Sequence, residues 1–253
     1  MGVKNVLARF GVTNCIELDW WDCTSIDTST TIVNGQESKL NITLTPAKHW
    51  TARTPFDKNV CLWGSFVITG TKENIFFGGD TAYCSVFKTI GETFGPFDIS
   101  LLPIGAYLPR KLMENVHCDP AEAQQIHRDL RSKQSVGIHW GTFHLADDED
   151  VEPAFELARV RAISGMPVHQ FFTLGHGETF QVGNFPKYDF ATLWPDEAKS
   201  YVEQKYDRLA KRRAAIHLRA MKKAKRLNFK KQFHLPDRFS KQSGHNATRT
   251  QDK

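Results

Sequence analysis

No run of 18 consecutive apolar residues occurs anywhere in the 253-residue chain, so no segment reads as a membrane-spanning helix. Cysteine is scarce. The five (Cys15, Cys23, Cys61, Cys84 and Cys118) are odd in number, widely spaced and never arranged as Cys-x-x-Cys. That argues against both a disulfide framework and a zinc finger, and for a reducing compartment. The opening residues Met-Gly-Val-Lys-Asn-Val contain no secretory-type apolar stretch and no Ser or Thr at position 6 for myristoylation. Internal repeats are also missing. With 40% apolar and 24% charged residues, the chain has enough apolar side chains for a packed core and is not disordered throughout.

Charge is present but unevenly divided. Residues 196–253 hold 17 of the 33 Lys and Arg and only 6 of the 28 Asp and Glu, so this stretch carries +11 while residues 1–195 carry −6. The basic character belongs to an extension and not to the body. Within it Val202, Tyr206, Leu209, Ile216, Ala220 and Leu227 fall near one helical face, predicting a long, mostly exposed helix over 196–227. The expected organisation is a body over 1–190, a basic helical extension over 191–228 and a polar, disordered tail over 229–253. A solvated helix is the first reading of the extension, an anionic membrane surface its next partner and nucleic acid the last.

Short β-branched or aromatic runs bounded by Gly, Asp and Asn predict strands at Asn14–Leu18, Leu40–Thr45, Cys61–Ile68, Ile75–Phe77, Asp98–Ile104, Ser135–His139 and Gln170–Leu174. Helices are predicted at Ser85–Thr93, Pro120–Ser132 and Glu152–Ser164. The second has a clear start, with Asp119 as N-cap, Pro120 at the first position and Glu122 completing a capping box. Strands that alternate with helices imply an α/β layered fold.

Three segments carry chemistry-bearing residues just past predicted strand ends: His49 in Thr45–Trp50, Asp80 after Gly78-Gly79, and His139 in Gly137–Phe143. In layered α/β proteins such positions gather in one crevice, and two imidazoles with one carboxylate form an ordinary zinc ligand set. A lone histidine after a strand is usually a hydrogen-bonded loop residue, and spacing takes the argument no further. His127, His144 and His169 read as surface or helix-face residues, and His176 as structural.

His49-Trp50, Gly79-Asp80-Thr81 and Ile138–Phe143 resemble the later motifs of the metallo-β-lactamase superfamily. From Ile16-Glu17-Leu18-Asp19-Trp20-Trp21 to His176-Gly177-Glu178 the chain resembles, more narrowly, the N-acylphosphatidylethanolamine-hydrolysing phospholipases D. Supporting stretches include Leu62–Ser65, Phe94–Asp98, Pro103–Tyr107 and Pro109-Arg110. The resemblance implies an αββα sandwich followed by the C-terminal helix. It also implies a two-zinc hydrolase that cleaves N-acylphosphatidylethanolamine to N-acylethanolamine and phosphatidic acid. His49 would serve the first zinc, His139 the second, and Asp80 would bridge them. His117, just ahead of a helix N-terminus, would be catalytic, its pKa lowered by the helix dipole.

The signature His-x-His-x-Asp-His occurs nowhere in the sequence. The chain is therefore expected to correspond to the C-terminal part of such an enzyme, truncated at its N-terminal half, short of four of the seven metal ligands and impaired alone. A phospholipid substrate, a membrane surface and a cytoplasmic, peripheral location on intracellular membranes follow from the resemblance, which leaves a homodimer open. The alternatives are a non-catalytic truncated isoform and a nuclease of the same fold acting on RNA.

Overall fold

The computed structural model describes residues 2–186 except 34, 35, 71 and 149, together with Gln204, Asp207, Lys211 and Met221. Met1–Lys199 form one compact unit and Ser200–Lys253 another. The four described residues of the second unit are helical, and Lys211 and Asp207 pair at 3.6 Å. The rest of the helix expected over 196–227, the tail and the boundary expected at 190 lie outside the described residues.

The first unit is built on one seven-stranded sheet whose spatial order follows the chain: β1 (Cys23–Val33), β2 (Gln36–Thr45), β3 (Ser65–Thr69), β4 (Asn74–Phe77), β5 (Ile99–Pro103), β6 (Gln134–Ile138) and β7 (Phe171–Phe172). β1 to β4 pair antiparallel, and β4 to β7 pair parallel. Parallel neighbours need a crossover. These are supplied by α2 (Val86–Phe94), by α3 (Arg110–Met113) with α4 (Pro120–Asp129), and by α5 (Glu152–Ser164). A short α1 (Lys4–Ala8) precedes the sheet.

Strand alternation places Val67, Phe76, Leu102 and Phe171 on one face, where Phe87 and Ile90 of α2, Ile126 of α4 and Leu157 of α5 cover them. Each such side chain contributes about 1.5–3 kcal/mol by burial. The start of α4 is as the sequence predicts: the Asp119 carboxylate accepts from the Glu122 N–H at 2.9 Å, and Glu122 accepts from the Asp119 N–H at 3.1 Å. α5 stops where Gly165 takes φ +68°, the left-handed conformation that ends helices.

The opposite face carries a row of directly paired apolar residues, Leu44, Phe66, Phe77, Leu101, Val136 and Phe172. Leu174, Phe180 and Val182 pack over its β5–β7 end. Toward β3 and β4 the cover thins, and Phe66 and Phe77 remain 37% and 40% exposed. No second sheet is found among the described residues, so of the expected αββα layers one sheet and one helical layer are seen.

Several expectations need correction. Asn14–Leu18 is not a strand; the chain there is irregular, and the first strand is the Thr- and Ser-rich β1, which lacks the apolar run used to recognise strands. The third strand begins at Ser65, because Cys61–Gly64 belong to the loop that reaches back under the site. His127, expected on the surface or a helix face, lies on a helix face that is buried. It is buried on the inner face of α4, its Nδ1 2.8 Å from the Ser135 hydroxyl and its ring stacked on Phe171 at 5.9 Å.

Burial pushes the His127 pKa down to about 4. The unfolded chain binds this proton near pH 6.5 and the folded chain only near 4, so stability falls as pH drops through that window and is full above it. His127→Gln keeps a polar group opposite Ser135 and removes the titration. It should shrink the wild-type stability loss between pH 7 and pH 5 by about 2 kcal/mol in urea denaturation. An unchanged pH slope would show that His127 is not held neutral by the fold.

Candidate metal centre

Four loop segments at one end of the sheet bring together His49, Asp80, His117 and His139. Asp80 follows β4 through Gly78 and Gly79, and Gly79 takes φ +60°, a turn that glycine accepts freely. His49 lies in the loop after β2, His139 directly follows β6, and His117 precedes α4.

Thr81 ties three of these segments together. Its buried hydroxyl accepts from the Lys48 N–H at 3.0 Å and donates to the Ala82 carbonyl at 2.8 Å. Its carbonyl accepts from the Cys118 N–H at 2.8 Å, and the Ala82 N–H returns to the Lys48 carbonyl at 2.8 Å. The neighbours in sequence of His49, Asp80 and His117 are therefore joined through one residue. The His49 loop has a second support: Trp63 Nε1 donates to the Ala47 carbonyl at 2.9 Å, and Trp20 Nε1 donates to the Trp63 carbonyl at 2.6 Å.

Arg110 fixes His117 from the other side. Its Nη1 donates to the His117 carbonyl at 2.8 Å and its Nη2 to both carboxylate oxygens of Glu122 at 2.9 and 3.0 Å, joining the His117 backbone to the capping box of α4. His139 sits at φ +62°, a conformation uncommon for a side-chain-bearing residue and one that clusters at functional sites. Gly105 is packed against it, since a Cβ there would collide with the His139 carbonyl oxygen. Ala106, also at positive φ, is held where its N–H donates to the buried Asp148 carboxylate at 2.9 Å.

His139 Nε2 lies 3.2 Å from Asp80 Oδ1. The His117 ring is 5.2 Å from both the His49 and His139 rings, centroid to centroid. Candidate ligand atoms of His49, Asp80 and His117 all lie within 4.8 Å of one another. Nδ1 of His49 is 2.6 Å from the Trp50 carbonyl, which can only accept, so Nδ1 carries the proton and Nε2 presents a lone pair. That Nε2 is buried with no protein partner, as are Nδ1 of His117 and Nδ1 of His139. Buried polar atoms are nearly always paired, and three unpaired imidazole nitrogens beside one carboxylate fit a metal ion of the zinc type.

The electrostatics follow from the same contacts. The hydrogen bond from His139 holds the Asp80 carboxyl below its ordinary range against the opposing effect of burial, and it raises the His139 pKa. His117 is pushed down to about 4, first by burial and then by the neighbouring imidazoles of His139 and His49. The direction agrees with the sequence reading, but the leading cause is burial and not the helix dipole.

A cleft of about 460 Å³ opens onto His49 and Asp80, walled by Ile16, Leu18, Leu44, Leu62, Trp63 and Phe66, with Arg53 also in its lining. His176 stays outside the cluster, its ring 5.3 Å from Trp140, and His144 pairs with Asp150 at 3.6 Å. Thr81 and Arg110 were quoted in the sequence only as parts of motifs. Their bonds reach across 33 residues to Lys48 and 12 residues to Glu122, which spacing along the chain does not reveal.

Residues 2–140 match the family described as the β-lactamase superfamily domain, and the chain belongs to that family. Among curated relatives, it is 35% identical over 192 residues to N-acyl-phosphatidylethanolamine-hydrolyzing phospholipase D 1 of Caenorhabditis elegans, covering 73% of this chain and 52% of that protein. It is also 35% identical over 159 residues to the mitochondrial N-acyl-phosphatidylethanolamine-hydrolyzing phospholipase D of Saccharomyces cerevisiae, covering 62% and 32%. The solved structure of Igni18, a metallo hydrolase from Ignicoccus hospitalis, aligns with a TM-score of 0.40 at 25% identity, covering 56% of this chain and 52% of that one. The chain thus spans about a third to a half of the length of these two curated relatives. The match establishes the superfamily and does not assign the chain to one end of its relatives.

Thr81→Val preserves shape but leaves the Lys48 N–H without its acceptor. It should cost about 1–3 kcal/mol in thermal or urea denaturation, and Thr81→Ser should recover most of that. A valine variant as stable as wild type would show that the hydroxyl does not hold the three loops together.

Proposed function

We propose that the chain is a zinc-dependent phosphodiesterase of the type that cleaves N-acylphosphatidylethanolamine to N-acylethanolamine and phosphatidic acid, working weakly as it stands. The observation that carries this reading is the cluster of His49, Asp80, His117 and His139 with its unpaired, buried imidazole nitrogens. The activity for which the two phospholipase D relatives are named supplies the substrate class. Zinc held by these residues would supply an acidified water and stabilise charge on phosphoryl oxygens. The protein's own part is to hold the ion through the cluster and to seat acyl chains along the apolar wall of the cleft. Arg53, in the lining of that cleft, offers a guanidinium to the phosphate.

A membrane surface is the natural source of such a lipid, and we place the protein peripherally on it. No described helix is long and apolar enough to cross a membrane. The sequence lacks His-x-His-x-Asp-His, so it cannot furnish the ligands that this motif contributes to a two-zinc site.

Purified chain with added zinc, assayed for ethanolamide release by mass spectrometry, should turn over at least about 100-fold more slowly than a relative carrying that motif, because missing ligands and their supports each cost roughly 10–100-fold. Asp80→Asn and chelation should both abolish the residual activity. Release no greater than from Asp80→Asn would overturn the assigned reaction. Turnover equal to the relative's would overturn the ligand-count argument.

A further inference from the structure

We infer that the open side of the sheet, from β1 to β4, is the contact surface for a second copy of this chain, sheet packed on sheet in a reversible dimer. This goes beyond the proposed reaction and does not depend on it.

The register defines the surface. Directly paired residues share one side of a sheet, so Ile26 with Leu40, Ile42 with Ile68 and Phe66 with Phe77 all point away from the helices that bury Val67 and Phe76. No charged residue sits on this side of the paired segments.

β1 and β2 also run on past their neighbour. β3 pairs with β2 only as far as Asn41, whereas the β1–β2 ladder continues to Val33 and Gln36. The core beneath the helices includes no residue of this two-stranded arm. The arm is nevertheless sided. On one side the Ser25 hydroxyl donates to Asn41 Oδ1 at 2.6 Å, and Lys39 pairs with Asp27 at 3.5 Å. On the other side Ile26 and Leu40 stand 45% and 36% exposed. Leu40 leans over β3, since a Cβ on Gly70 would lie 3.0 Å from its Cδ2, and the apolar side of the arm is thereby continuous with Ile68. An antiparallel ribbon with one polar and one apolar side is patterned for packing on the apolar side, and two strands alone are marginal in water.

Charge and area select the occupant. A twofold contact sets the same patch against itself, and an uncharged patch can do this without like-charge repulsion. Residues 1–195 carry −6, so contacts through the charged surface of the body are disfavoured. Ile26, Leu40, Phe66 and Phe77 leave on the order of 300 Å² of apolar surface per copy, to which the half-buried Ile42 and Ile68 add. Two copies then bury less than the roughly 1,200 Å² of a permanent complex, which makes the contact a dissociable one. Facing sheets pack about 10 Å apart, giving the layer order helices, sheet, sheet, helices from two chains.

The test uses the full 253-residue chain in sedimentation velocity over a concentration series. Monomer should convert to dimer with a dissociation constant in the micromolar range, roughly 1–100 μM. Ile26→Lys and Phe77→Lys each set a charge against its twin and should weaken the dimer at least about tenfold. Ser25→Lys, on the polar side of the arm, should leave it unchanged. Circular dichroism checks folding, and Phe66 is left out because it also walls the cleft beside His49. Isotope-filtered NOEs between labelled and unlabelled wild-type chains make the result independent of variant folding, and they should join methyl groups of Ile26, Leu40, Ile42 and Ile68 across the two copies. A chain that stays monomeric throughout the series, or a dimer indifferent to both lysines, would overturn the inference. A monomer that binds phosphatidylcholine vesicles and is released by the same lysines would overturn it too, and would give the surface to lipid.

Discussion

Three of the four segments of the candidate centre depend on Thr81, a small buried residue with no chemistry of its own. A loop after β2, a loop after β4 and the approach to α4 have no regular structure to hold them in place, and each carries one chemically useful side chain. The Thr81 hydroxyl and carbonyl, with the Lys48–Ala82 bridge, replace the missing regular structure by four hydrogen bonds, two made by the hydroxyl and two between backbone groups. Thr81 itself is fully buried, so removing its hydroxyl leaves the Lys48 N–H without its acceptor. The backbone of these three segments is satisfied locally, before any ion is considered.

On this scaffold charge is handled economically. One carboxylate faces three imidazoles, and burial keeps one of the three neutral while Asp80 favours the protonated form of another. Asp80 thus faces the imidazole whose protonated form it favours, while burial disfavours charge on His117. Arg110 contributes its charge to Glu122 and a backbone carbonyl and stays out of the cluster itself.

The sheet beneath has two different faces. Helices α2, α4 and α5 cover the β3–β7 part of one, where Val67, Phe76, Leu102 and Phe171 are buried, and that packing supplies the stability that positions the strand ends. The other carries an uninterrupted apolar row whose β3–β4 portion retains exposed phenylalanines, and the cleft at its end runs up to His49 and Asp80. Apolar surface therefore leads along this cleft up to the metal-type cluster.

Much of this was legible in one dimension. The apolar strands β4, β5 and β6, all three long helices and the capping box of α4 followed from local propensity and period, because each is decided by neighbours within a few residues. His49, Asp80, His117 and His139 stood out through their motifs, since the residue types that bind metal are few. β1 was missed because its Thr and Ser residues carry no apolar alternation and its strand state is set by pairing with β2. His127 looked like a surface residue because a helix face acquires its burial only from what packs on it. That the four residues meet at all was decided by the tertiary structure alone: His139 Nε2 reaches Asp80 across 59 residues, and the His117 ring lies 5.2 Å from those of His49 and His139, contacts that exist only when the chain folds.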